Sequence, residues 1–195
     1  MSLFTAKLPY VPVELKDIWY PHFQLPARVN ELGGIESTSP DMRAEHRRSG
    51  VQFDTGKNTP TVKTICYYRL LWECYNGRKT RSRSTIIFAD GNPYNVTKQN
   101  LVEASPLTPF EILKPAIDNT LDFWKKSRAE YESYLTNKKI DSEKFRDLFN
   151  LKKYFWDFLT FPGKIENLEI QLRYIEEKSH LCHLKSDRRT RSNIG

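Results

Sequence analysis

Three cysteines, Cys66, Cys74 and Cys182, are all that this 195-residue chain contains, and no two form a Cys-x-x-Cys pair. An odd, scattered set excludes a disulfide framework and a zinc ribbon. Cys66 and Cys74 lie in apolar runs and read as small buried side chains. No run approaches the roughly 18 uninterrupted apolar residues of a membrane-spanning helix, so no membrane partner is expected. Near the start, Pro9, Pro12, Glu14 and Asp17 stand where a signal peptide needs an apolar stretch, which leads to the expectation of a cytoplasmic protein. There is no glycine-rich phosphate loop and no Ser/His/Asp arrangement. The pair His180 and Cys182-His183 lacks the second pair that a tetrahedral zinc site needs.

Aromatic residues and positive charge are what the chain has in quantity. Its 11 Phe, 10 Tyr and 4 Trp argue against disorder, since disordered chains are poor in these side chains. Lys and Arg number 31 against 24 Asp and Glu, a net charge of +7 that permits an acidic partner without proving one. The charge is clustered: Arg43, His46, Arg47 and Arg48; Arg78, Lys79, Arg81 and Arg83; and Lys185, Arg188, Arg189 and Arg191. The last cluster lies in a polar terminus and reads as a tail.

Local pattern divides the chain. Residues 29–35, VNELGGI, carry a Gly-Gly turn signal. Two β-prone runs, Val51–Phe53 and Thr61–Tyr68, flank Thr-Gly-Lys-Asn and predict a hairpin. The run YRLLWECY suits a short helix stopped by Asn76-Gly77, and Thr85–Phe88 reads as a strand. In Asp90-Gly91-Asn92-Pro93, Asn92 can cap a helix through VTKQNLVEA. Beyond Pro109 only Gly163 and Gly195 remain, and the apolar period becomes helical. Segments are predicted over about 109–137, with Pro115 a candidate break, 142–158 and 164–184.

The stretch Tyr68–Ser105 resembles the HNH endonuclease family of the phage- and intron-encoded homing type. Arg69-Leu70-Leu71-Trp72-Glu73, Asn76-Gly77, Asp90-Gly91-Asn92-Pro93, Asn95 and Asn100-Leu101 stand in the family's order and spacing. Upstream, Trp19, Pro21, Val29, Asn30, Gly33, Ile35 and Ser37 resemble the small DNA-binding module that often precedes such nucleases. The resemblance implies a strand and hairpin module over 1–49 and a ββα-metal (HNH-like) unit over 50–105; the helical period and charge pattern add a helical part over 106–185 and a basic tail over 186–195, so the expected fold is α+β.

In the family, a strand-ending His activates water, and the Asp before it joins a later Asn in holding a divalent metal. Here Ile87 stands at the Asp position, Phe88 at the His position, and Tyr68 at the site of an earlier family His. Only Asn100, with Asn95 as the supporting Asn, remains. A neutral amide oxygen is a poor sole anchor for Mg²⁺. No catalytic residue and no cofactor are therefore expected, Mg²⁺ belonging only to a nuclease reading.

Three readings follow. The first is a non-catalytic protein of phage origin that binds double-stranded DNA through Arg43, Arg47, Arg48, Arg78, Lys79, Arg81 and Arg83. The second is a structural or interaction protein that engages a phage or host protein through its aromatic-rich C-terminal helices, in the host cytoplasm or the virion. The third is an active nuclease with a relocated base.

Overall fold

A computed structural model describes residues 18–39, 43–47, 50–54, 63–149, 153–161 and 163–192. Within that range the side chains of 43–47, 50, 52–54, 63, 147–149, 153–155 and 183–192 lie outside the description. The chain is α+β, with antiparallel strands first and helices after them. It divides into two compact units. One joins the described residues up to Ile86 with Pro93–Glu103, and the other joins Ile87–Asn92 with the chain from Ala104 onward.

The strand-rich unit begins with an antiparallel meander of β1 (Trp19–Pro21), β2 (Ala27–Asn30) and β3 (Ile35–Ser37), in which Trp19 faces Asn30 and Val29 faces Ile35. Asn30 makes its turn possible. The Oδ1 of Asn30 accepts the N–H groups of Leu32 (3.1 Å) and Gly34 (2.8 Å), while Gly33 takes a φ of +80°. Asparagine side chains commonly bond the backbone this way in turns. A second meander follows: β4 (Arg43–Arg47), β5 (Gly50–Asp54) and β6 (Lys63–Ile65), with β5 central. The expected hairpin is β5 with β6. Thr61 and Val62 lie outside the described residues, and Tyr67 and Tyr68 already belong to the next helix.

That helix, α1 (Tyr67–Asn76), buries Leu70, Leu71, Trp72 and Tyr75 and stops at Gly77 in the left-handed conformation, as its sequence predicts. The Tyr75 hydroxyl lies between the carbonyls of Asn30 (3.0 Å) and Val96 (2.9 Å), tying the helix to the first meander and to the loop over 93–100. Cys74 is buried and its thiol is pushed up to about 12 by burial, with the charge of Glu73 adding to the effect. Cys66 is exposed, contrary to expectation, because it precedes the first turn of α1 rather than sitting on its inner face.

Strands β7 (Thr85–Phe88) and β8 (Leu101–Ala104) pair with each other. The helix expected after Asn92 does not form. Residues 93–100 are turns, in which Asn95 Oδ1 accepts the Thr97 hydroxyl (2.9 Å) and Asn100 donates to the Asn95 carbonyl (2.6 Å). Leu101–Ala104 are buried throughout, the pattern of a covered strand rather than of a one-sided helix.

The helical unit contains α2 (Phe110–Lys138), α3 (Ser142–Phe149), α4 (Lys153–Thr160) and α5 (Lys164–Ser192). Pro115 does not break α2. It lies in the second turn on the exposed side, where only one backbone hydrogen bond is lost. The segment expected over 142–158 is instead two helices, and α5 continues through the basic run read as a tail. The core is aromatic. The Trp124 ring stacks on Phe158 at 4.3 Å beside Ile165, and Tyr131 meets Phe145 edge-on at 4.9 Å beside Leu159. Asp118 of α2 accepts from Arg173 of α5 (2.8 Å), and Ser179 of α5 donates to the carbonyl of Thr108, just before α2, at 2.7 Å.

Candidate nucleic-acid interface

The basic connection between α1 and β7, residues 77–84, is held by two buried carboxylates, one from α1 and one from β8. From α1, Glu73 Oε1 accepts both the backbone N–H of Thr80 (2.9 Å) and its hydroxyl (2.8 Å). Its other oxygen takes the Nε2 of His22 at 3.1 Å. The His22 Nδ1 accepts the N–H groups of Gln24 (3.0 Å) and Leu25 (2.9 Å), so the ring proton sits on Nε2 and points at Glu73. Burial raises the Glu73 carboxyl, but the Thr80 bonds and His22 outweigh it and leave the group below its ordinary value.

From β8, Glu103 reaches the far half of the loop. Its Oε1 accepts the Arg81 backbone N–H and lies 3.2 Å from the Ser84 hydroxyl. Its Oε2 is 3.0 Å from each guanidinium of Arg78 and Arg81. The carboxylate is 3% exposed, whereas the Arg78 and Arg81 side chains are 47% and 38% exposed. The Arg78 guanidinium also lies 4.5 Å over the Trp72 ring, and Arg69 donates to the Ser84 carbonyl at 3.1 Å. Arg83 adopts a φ of +62°, and both Lys79 and Arg83 are exposed.

The predicted interface residues are thus placed unequally. Arg78, Lys79, Arg81 and Arg83 share one ordered loop. Arg43 and Arg47 lie on β4 with their side chains outside the described residues, and Arg48 lies outside them altogether. The positions where the resemblance leads one to expect Asp and His are buried. Ile87 and Phe88 are each 1% exposed, and the Phe88 N–H donates to Thr120 Oγ1 at 3.1 Å. The Tyr68 hydroxyl donates to the Pro93 carbonyl at 3.2 Å, while Asn95 and Asn100 are engaged in the loop bonds described above. Among the described residues no group of three or more His, Cys, Asp or Glu side chains is arranged for a metal, and no helix is long and apolar enough to cross a membrane.

Glu73, Glu103 and His22 escape sequence reasoning, because they approach the loop from outside it. The available signal is an acidic residue inside an apolar element, Glu73 within YRLLWECY and Glu103 within LVEAS. A buried carboxylate needs partners, and the nearby arginines are candidates. Comparison of the chain with protein-family models, with curated proteins and with solved structures returns no match.

Proposed function

We propose that this chain is a non-catalytic protein that binds double-stranded DNA, built on the HNH-like unit its sequence resembles. The observation that carries the reading is the burial of Ile87 and Phe88: the positions of the family's metal-holding Asp and of its base are core side chains with no donor for a metal and no base for water. Tyr68, Asn95 and Asn100 are likewise used to hold the loop over 93–100. The donor set does not fit a divalent metal. Strands β7 and β8 pair within the stretch that carries the resemblance, and the next helix, α2, begins beyond it. The exposed cations of 77–84 supply the phosphate contacts from which non-specific DNA affinity arises.

The test is duplex binding at several salt concentrations, beside nicking of supercoiled plasmid with Mg²⁺ or Mn²⁺. Wild type binds and does not nick. If Arg78, Lys79, Arg81 and Arg83 each meet one phosphate, they contribute about −3.6 to the slope of log affinity against log salt. Changing all four to Ala weakens binding strongly and flattens the slope. Metal-dependent nicking by wild type refutes the non-catalytic reading. Salt-insensitive behaviour, or binding unchanged in the quadruple variant, refutes the assignment of the loop.

A further inference from the structure

The 77–84 loop contains a contradiction that simple charge does not resolve. A surface selected only for positive potential gains nothing from a carboxylate at its centre, yet Glu103 is placed 3.0 Å from both Arg78 and Arg81 and is almost fully buried. We propose that loop 77–84 is a preformed clamp for the phosphates of duplex DNA and that Glu103 is the positioning residue that aims its arginines. The inference rests on the DNA-binding reading and adds to it the residue that sets the loop's geometry.

The physical reason lies in the guanidinium. An unrestrained arginine loses rotamer freedom when it binds a phosphate, and this loss opposes binding. Its planar fork carries five donors, so one edge can be fixed by a carboxylate while the side chain still presents donors outward. Glu103 fixes Arg78 and Arg81 through one oxygen, and both side chains remain partly exposed. The Trp72 ring beneath Arg78 limits that guanidinium further. The backbone is set as well. Glu103 accepts the Arg81 N–H, and Glu73 accepts the Thr80 N–H and hydroxyl. Both halves of the loop are thereby ordered before any ligand arrives. The β8 strand, not the loop, supplies the aiming group.

The two accounts predict opposite signs for one substitution. Glu103→Gln removes a negative charge and takes the net charge from +7 to +8. If charge alone governs affinity, the variant binds duplex DNA more tightly and with a steeper salt slope. As a clamp, it loses its charge-assisted anchors and binds about tenfold more weakly. A second variant, Arg78→Lys with Arg81→Lys, keeps every charge but removes the forks. It also binds about tenfold more weakly, with a salt slope close to that of wild type.

The measurement is fluorescence anisotropy of a labelled mixed-sequence duplex at two salt concentrations, with the full chain, at a temperature where thermal melts show each variant folded. Equal or tighter binding by Glu103→Gln overturns the clamp, and so does wild-type affinity in the double-lysine variant. If Glu103→Gln does not fold, the double-lysine variant decides alone. If wild type itself shows no salt-dependent duplex binding, the DNA-binding reading falls and the clamp with it. Wild-type binding together with unweakened variants removes only the clamp.

Discussion

At the scale of single residues, the strand-rich unit depends on carboxylates whose partners come from distant parts of the chain. Glu73 joins His22 to Thr80, bridging the first meander and the basic loop. Glu73→Ala leaves the Thr80 N–H, its hydroxyl and the His22 Nε2–H without their acceptor, and costs about 2–4 kcal/mol in a urea melt. Because the folded state holds the Glu73 carboxyl below its ordinary value, its stabilisation is present above the unfolded value near 4.5 and is lost as pH falls through the folded one. Stability of wild type therefore drops on acidification below about pH 4.5, and Glu73→Gln lacks that part of the drop; pH-resolved melts compare the two. Packing at the same scale opposes building a nuclease site at positions 87 and 88. Ile87→Asp with Phe88→His places an unpaired charge and a polar ring where both native side chains are 1% exposed. The expected result is a loss of several kcal/mol, about 3–5 or more, and no gain of nicking. A folded double variant that cuts DNA would show that these positions can open to solvent.

Two left-handed glycines separate backbone preference from steric fit at the scale of elements. Gly77 ends α1 with a φ of +61°, and a Cβ there meets nothing within 4 Å. Gly91 has a φ of +78°, and a Cβ there meets the Asn119 carbonyl oxygen at 2.2 Å. Gly77→Ala costs about 1 kcal/mol, the left-handed penalty alone. Gly91→Ala costs at least twice that, about 2–4 kcal/mol, because the 88–92 turn must move away from α2; parallel chemical melts measure the difference. The elements themselves were unevenly legible in the sequence. The helices α1 and α2 show in local period and stop signals, and the β5–β6 hairpin in β-prone runs around a turn. Strand β4 does not show, because Arg-Ala-Glu-His-Arg is defined by its pairing with β5 and not by local preference. The helix expected over VTKQNLVEA failed for the same reason. Leu101–Ala104 fit a helix locally, but pairing with β7 buries all four. The basic loop was visible as a cluster of charge; its two acidic anchors lie on neighbouring elements and could not be placed without the fold.

For the molecule as a whole, the division into units does not follow the order of the chain. Residues Ile87–Asn92 belong with the helices, although they sit between Ile86 and Pro93, which belong with the strands. Specific contacts hold that segment in place. The Phe88 N–H donates to Thr120, Asn119 donates to the Ala89 carbonyl at 2.7 Å, and Gly91 packs on the Asn119 backbone. A single cut near Ser105 therefore cannot yield two intact halves. A fragment ending there keeps α1, the 77–84 loop and Glu103, but it removes Asn119 and Thr120, the hydrogen-bond partners of the 87–92 segment. The segment carrying the buried Ile87 and Phe88 is then released, and apolar patches exposed by such a release bind dye and favour aggregation. The fragment is expected to bind 8-anilinonaphthalene-1-sulfonate and to be cleaved by protease within 87–92, while α1, buried against its own strands, stays protected. The reciprocal fragment beginning at Pro106 loses the partner of Thr120 and melts less cooperatively than the whole chain. A fragment ending at Ser105 that is compact, dye-silent and protected through 87–92 would mean that the segment does not depend on α2.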